Sequence, residues 1–249
     1  MAVPVAFPLS QANVRRLTAL DMRWRAAGAG ASSTMPRAKT QFVLDASASM
    51  GFGSHGQPTK FAYAARLAAG MAHVTARGGG AVGLTLFGET VRDHLPPRRG
   101  PAHVRRLCAR LAAAVPGGRA APAELARTLA ASTGRVYLFT DLCDGIEGAL
   151  DAVAPLCRGG GEVTLMQVLD PTELDLLPGD AATFTDPETG EALSLDPDAI
   201  RAEYRGELQR DIDAARAGCA ALGAGYYLLS TVLPIYGFMR DHARRECLP

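Results

Sequence analysis

The chain has 249 residues, enough for one large domain with a sizeable core and short for two. With 48% hydrophobic and 20% charged residues it is a globular chain rather than a disordered one. A formal net charge of +1 excludes any argument from bulk charge for a particular partner. Alanine and glycine are heavily used and lysine is nearly absent, which reflects a GC-rich genome more than chemistry.

The five cysteines, Cys108, Cys143, Cys157, Cys219 and Cys247, are scattered and form no Cys-x-x-Cys pair. This argues against a disulfide framework and fits a reducing compartment. Met1 to Ser10 contains Pro4 and Pro8 and lacks the basic-then-apolar pattern of a signal peptide. No stretch reaches the roughly 18 uncharged apolar residues of a membrane span. The expected compartment is the cytoplasm.

Residues 1 to 40 form an irregular N-terminal arm, in which Leu17 to Leu20 could make a helical turn and Gly28 to Thr34 reads as a linker. A domain over 41–249 follows. Gln41 to Asp45 is a short apolar run, the pattern of a buried strand. Lys60 to Ala76 is apolar almost all round and predicts a buried helix, ended by Gly78-Gly-Gly80. Ala81 to Phe87 is a second strand, and Thr90 to Leu95 forms a hairpin with it. Pro101 opens a helix with Val104, Leu107, Cys108, Leu111, Ala112 and Val115 at helical spacing. Ala123 to Ala131 is a helix, Arg135 to Thr140 a strand, Ile146 to Leu156 a helix and Glu162 to Val168 a strand.

Asp186-Pro-Glu-Thr-Gly190 is a turn between two short strands. Asp198 to Leu222 is the longest helix, with Ile200, Tyr204, Leu208, Ile212, Ala215, Cys219 and Leu222 on one face. Tyr226 to Leu229 is a last strand, and Tyr236 to Arg245 a closing helix. Strands alternating with helices predict an α/β fold: a mostly parallel sheet with helices on both faces.

In such sheets ligands sit outside the carboxyl ends of the strands, where strand order reverses. Asp45 ends the first core strand and Asp141 follows the Arg135 to Thr140 strand. The spacing Asp45-x-Ser47-x-Ser49 puts two hydroxyls on one tight loop. Carboxylates and hydroxyls at one point suit a hard divalent cation such as magnesium. Ser47 and Ser49 would ligate it directly, with Asp45 and Asp141 acting mostly through bound water. An aspartate followed by serines is also an ordinary turn or helix-entry motif. Asp141 at a second strand end favours the metal, because a turn needs no distant acidic partner.

Val43-Leu-Asp-Ala-Ser-Ala-Ser-Met50 resembles the start of von Willebrand factor A-type domains. More specifically, the chain resembles the bacterial family called domain of unknown function 58. The likeness runs in order through Lys60 to Ala69, Val82 to Gly88, Leu95-Pro-Pro-Arg-Arg-Gly100, Pro116-Gly-Gly-Arg119, Phe139-Thr-Asp-Leu142, Gln167-Val-Leu-Asp-Pro-x-Glu-Leu174 and Thr189-Gly190. It implies a three-layer, doubly wound, six-stranded sheet of order 3-2-1-4-5-6 with one antiparallel edge strand. Asp45 and Asp141 then meet at the switch point. It also implies a metal-ion-dependent adhesion site whose free position takes a carboxylate from a partner protein. The partners it implies are a MoxR-type AAA+ ATPase and a client protein in maturation. Two departures stand out. The family's threonine ligand usually follows the Gly-Gly-Arg turn, where this chain has Ala120. The family's longer N-terminal region with an Asp-Trp element is matched poorly by the stretch around Trp24.

Other readings have less support. Gly51-x-Gly-x-x-Gly56 follows a strand, but its glycines do not sit where a dinucleotide turn needs them. A phosphoryl-accepting Asp45 lacks the second acid two residues on, and with Lys39 and Lys60 the only lysines, none is expected near the later strand ends. The histidines, His55, His73, His94, His103 and His242, show no ligand spacing; His55 alone lies in the site loop. No Gly-x-Ser-x-Gly elbow occurs. Cys143 is expected to be small and partly buried rather than a reactive thiol. Arg98, Arg99, Arg105, Arg106 and Arg110 make the one basic cluster, read as a solvated helix face and, more sharply, as a docking patch for an acidic partner. No aromatic residues interleave there for nucleic acid. The expectation is a non-enzymatic interaction module. The alternatives are a metal-dependent hydrolase or phosphatase using Asp45 and Asp141, and a scaffold whose metal site has decayed.

Overall fold

The computed structural model describes residues 39–54, 56–129, 134–176, 182–185 and 192–239. Six strands form one sheet: β1 (Lys39–Asp45), β2 (Ala81–Phe87), β3 (Val91–Arg98), β4 (Arg135–Thr140), β5 (Glu162–Leu169) and β8 (Gly225–Ser230), in the order β3-β2-β1-β4-β5-β8. All neighbours pair in parallel except β3, which is antiparallel to β2. This is the expected six-strand order with one antiparallel edge. Strands β6 (Ala182–Thr185) and β7 (Ala192–Leu195) pair separately, as expected around a turn that itself lies outside the described residues.

Each central strand reads as a continuous apolar run because helices cover both faces. Along β1, Phe42 and Leu44 point to one side and Val43 to the other, all fully buried. The first side is covered by α1 (Lys60–Arg77) and α2 (Pro101–Ala113), through Phe61, Leu67, Leu107 and Leu111. The second is covered by α3 (Ala123–Leu129), α4 (Glu147–Arg158) and α6 (Pro197–Ala221), through Leu125, Val153 and Cys219. A single helical turn, α5 (Pro171–Leu174), follows β5.

Two caps fix where the site-bearing helices begin. Thr59 accepts a hydrogen bond from the Ala62 N–H and starts α1, so Lys60 is its first residue. Such a cap is worth about 1 kcal/mol. Asp170 and Glu173 form a reciprocal capping box at α5. Residues 235–239 are helical; the rest of the expected closing helix, and the N-terminal features at Leu17, Trp24 and Gly28, lie outside the described residues.

Candidate functional site

Parallel pairing of β1 with β4 sets Leu44 opposite Phe139, so the next residues, Asp45 and Thr140, leave the sheet side by side. The Thr140 hydroxyl donates to Asp45 Oδ2 at 2.8 Å, and the Ser47 N–H donates to Oδ1 at 2.9 Å. Ser47 and Ser49 are buried, and their hydroxyl oxygens stand 3.1 Å apart. The loop carrying them is tied to the Pro116–Arg119 turn. Gly117 N–H donates to Ala46 O at 2.9 Å and Ala48 N–H to Gly118 O at 2.8 Å. Gly118 has φ +62°, a conformation that glycine adopts without strain. From β3, Arg92 straps the two segments together by donating to Ala46 O at 2.9 Å and to Gly117 O.

Asp45 is 1% exposed. Burial, then repulsion from Asp141, pushes its carboxyl up to about 6 against the hydrogen bonds from Ser47 and Thr140. No cation counters it among the described residues. Asp141, one residue past β4, is different. Lys60 Nζ lies 2.7 Å from its Oδ2 and 2.5 Å from Glu173 Oε1. This corrects the expectation that no lysine reaches a later strand end: the buried first turn of α1 carries Lys60 inward, where it is 1% exposed. Burial works against the ammonium, yet Asp141 and Glu173 outweigh it and hold Lys60 above its usual value. Burial also pushes Glu173 up while Lys60 pulls it back; the ionised form is the one that satisfies the Lys60 donors.

The cluster extends outward. Glu173 Oε2 accepts from the Asp170 N–H at 2.8 Å. Asp170 in turn accepts from Ser54 N–H and Oγ, from Thr172 N–H and Oγ1, and from Thr231 Oγ1. Burial alone would raise its pKa, but the hydrogen bonds from Ser54 and Thr172 win and hold it below the usual range. Tyr204 on α6 donates to Glu173 O at 2.5 Å. Beside the cluster lies a cleft of about 380 Å³ lined by Lys60, Asp141, Cys143, Gln167, Glu173 and Tyr204 among others. Leu142, between Asp141 and Cys143, has φ +61°. That costs a residue with a Cβ about 1–2 kcal/mol, and the bend brings Cys143 N–H to Asp141 Oδ1 at 3.1 Å.

The four sequence-predicted residues, Asp45, Ser47, Ser49 and Asp141, thus gather at one strand-end position. Their donor set suits a divalent cation. Two hydroxyl oxygens 3.1 Å apart match the edge of an octahedron, which for metal–oxygen bonds of about 2.1 Å is roughly 3 Å long. The Ala120 side chain supplies no oxygen. Instead a cavity of about 20 Å³ lies among Asp45, Ala120 and Thr140, and about 10–15 Å³ is enough for one water. Among the described residues no three His, Cys, Asp or Glu side chains form a metal-holding group, so hydroxyls and water would carry the coordination.

Elsewhere, Cys143 is exposed rather than partly buried. His103 is buried against Val82 O and His94 contacts the Thr85 hydroxyl, while His55 lies outside the described residues. In the arginine cluster, Arg110 pairs with Asp93 and Arg99 donates to Gly79 O, and both contacts are exposed. Lys60 and Glu173 are the site residues that spacing missed.

The strand order and the Asp-x-Ser-x-Ser loop at its switch point define a von Willebrand factor A-like domain. Residues 33–214 match the family described as "Protein of unknown function DUF58", and the chain belongs to that family. Among solved structures, a conserved hypothetical protein BatB from Bacteroides thetaiotaomicron is similar, with TM-score 0.55, 15% identity, and coverage of 84% of this chain and 98% of that one. An aerotolerance-related membrane protein from Bacteroides fragilis NCTC 9343, with multiple mutations to serines, gives TM-score 0.51, 18% identity and coverage of 84% and 98%. The SpRpn10 VWA domain gives TM-score 0.47, 13% identity and coverage of 82% and 93%. No curated protein matches the chain. No described helix is long and apolar enough to cross a membrane.

Proposed function

We propose that the chain is a non-enzymatic protein-interaction module whose strand-end site takes a carboxylate of a partner protein with the help of magnesium. Ser47 and Ser49 would hold the ion directly, with Asp45 and Asp141 acting through water. The ion, when bound, supplies the positive charge that a partner carboxylate seeks. The single observation that carries the reading is the Ser47–Ser49 hydroxyl pair, 3.1 Å apart, beside an Asp45 carboxyl with no cation against it. A buried carboxylate left uncompensated is a place where an added cation gains the most. Family resemblance supports a MoxR-type AAA+ ATPase and its client as partners, and the scattered cysteines support the cytoplasm as the setting.

Lys60 gives the hydrolase reading the lysine that the sequence withheld. It remains the weaker reading, because Lys60 is held between two carboxylates and Ser47 stands where the second acid of an aspartate-based phosphatase is needed.

The test is calorimetric titration of magnesium into the native chain and into Asp45→Ala. Binding to the native chain that disappears in the variant is the expected result. Absence of binding in both would make the site a decayed one, with Ala120 as the cause, and partner recognition would then rest on surface contacts.

A further inference from the structure

Buried charge at the strand ends is unevenly shared, and the imbalance has a functional reading. Asp45, Asp141 and Glu173 contribute three carboxylates and Lys60 one ammonium, all drawn together by the contacts described above. Carboxylates outnumber the one ammonium, and Asp170 behind Glu173 adds a further one, so the cluster favours a cation and disfavours an incoming carboxylate. Mere structural support is a poor account of Lys60. A buried ion pair of this kind is often no more stabilising than apolar side chains of the same volume.

We infer that Lys60 is a specificity-determining residue of the strand-end site: it weakens divalent-cation binding, and in exchange makes the loaded site less negative, so that an incoming carboxylate is repelled less. The inference rests on the reading of that site as a cation-assisted carboxylate receptor. With Lys60 present, the magnesium-loaded cluster carries one negative charge fewer. With its charge removed, the ion would bind a more negative cluster more tightly. The loaded site would then keep one more negative charge at the point where a partner carboxylate must approach. Removing the Glu173 charge instead acts in the opposite direction on the ion. It takes away one of the attracting carboxylates and leaves Lys60 to Asp141 alone.

Two variants of the full chain test this, Lys60→Met and Glu173→Gln, with two readouts. The first is magnesium affinity by calorimetry. The second is acetate titrated into the magnesium-loaded protein, followed by the amide shifts of Ser47 and Ser49. A unit charge acting on a divalent ion over this range changes affinity roughly tenfold. Lys60→Met is expected to bind magnesium roughly tenfold more tightly and to lose the acetate-induced shifts. Glu173→Gln is expected to bind magnesium roughly tenfold more weakly and to keep the acetate shifts once loaded. A merely structural role moves both variants the same way, toward weaker magnesium binding, and that result overturns the inference. So does unchanged affinity in both. If Lys60→Met does not fold, Glu173→Gln decides through both readouts, because it keeps the Lys60–Asp141 pair: weaker magnesium binding with the acetate shifts kept once loaded supports the inference, and loss of those shifts, or equal or tighter magnesium binding, overturns it. If neither the native chain nor either variant binds magnesium, the receptor reading itself fails and the inference falls with it. Native binding with the wrong signs in the variants defeats the inference only.

Discussion

Asp45 and Asp141 close adjacent strands of one sheet, and both are nearly fully buried. One has only N–H and hydroxyl donors for company; the other has an ammonium 2.7 Å away. Two carboxylates of the same type, one strand apart, have been given opposite electrostatic surroundings. The difference is one of company: the fold brings an ammonium to Asp141 and, among the described residues, none to Asp45. Asp141 belongs to the protein's internal wiring, through Lys60 to Glu173 and Asp170. Asp45 faces a water-sized void and a pair of hydroxyls, and its ionisation is a standing cost.

That contrast can be broken from the compensated side first. Lys60→Met strands the buried Asp141 carboxylate and unpairs Glu173, whose side chain is 28% exposed; removing one partner of a buried pair costs about 3–5 kcal/mol. Thermal or urea unfolding in metal-free buffer will register the loss, and adding Asp141→Asn to the same chain will recover part of it. A Lys60→Met chain as stable as the native one would mean that the pair is not a closed charge unit.

The uncompensated side gives a smaller effect of opposite sign. The folded Asp45 carboxyl titrates near 6, against an ordinary 3.8. The folded state therefore holds this proton more tightly than the unfolded chain does. The resulting stabilisation is complete below about pH 4 and is lost as pH rises through about 6. Asp45→Asn, with no charge to bury at any pH, gains on the native chain by about 2–3 kcal/mol between pH 4 and pH 8 in metal-free buffer. A flat difference across that range would show that Asp45 is compensated after all.

The smallest effect concerns the void. Ala120→Ser adds one hydroxyl at the wall of the cavity beside Asp45. It is expected to tighten magnesium binding several-fold, at the scale of one added hydrogen-bonding oxygen, about 1 kcal/mol. Calorimetry against the native chain checks it. No gain would mean that the side chain at this position does not reach the ion.

The sheet was readable because parallel strands buried on both faces must be apolar throughout, as Phe42-Val-Leu44 and Val136-Tyr-Leu-Phe139 are. Asp45, Ser47 and Ser49 were readable because one loop carries all three. The Lys60 contacts were not, because Asp141 and Glu173 lie 81 and 113 residues away in the chain, and a lysine at a helix start ordinarily points to solvent. One clue was present. A helix apolar all round buries its first turn too. In a chain with only two lysines, one kept at that turn marks a place needing a compact cation with three donors, which a planar guanidinium does not replace. Cys143 is exposed where the sequence predicts partial burial; it directly follows the left-handed bend at Leu142, and nothing in Leu142 itself signals such a bend.

Asp170 gathers hydrogen bonds from Ser54, 116 residues earlier, and Thr231, 61 residues later. Contacts of such separation close large loops and form late in folding. During synthesis the wiring behind Asp141 cannot be complete until β8 has left the ribosome. On the proposed receptor reading, the unfinished chain would lack its completed site until that point.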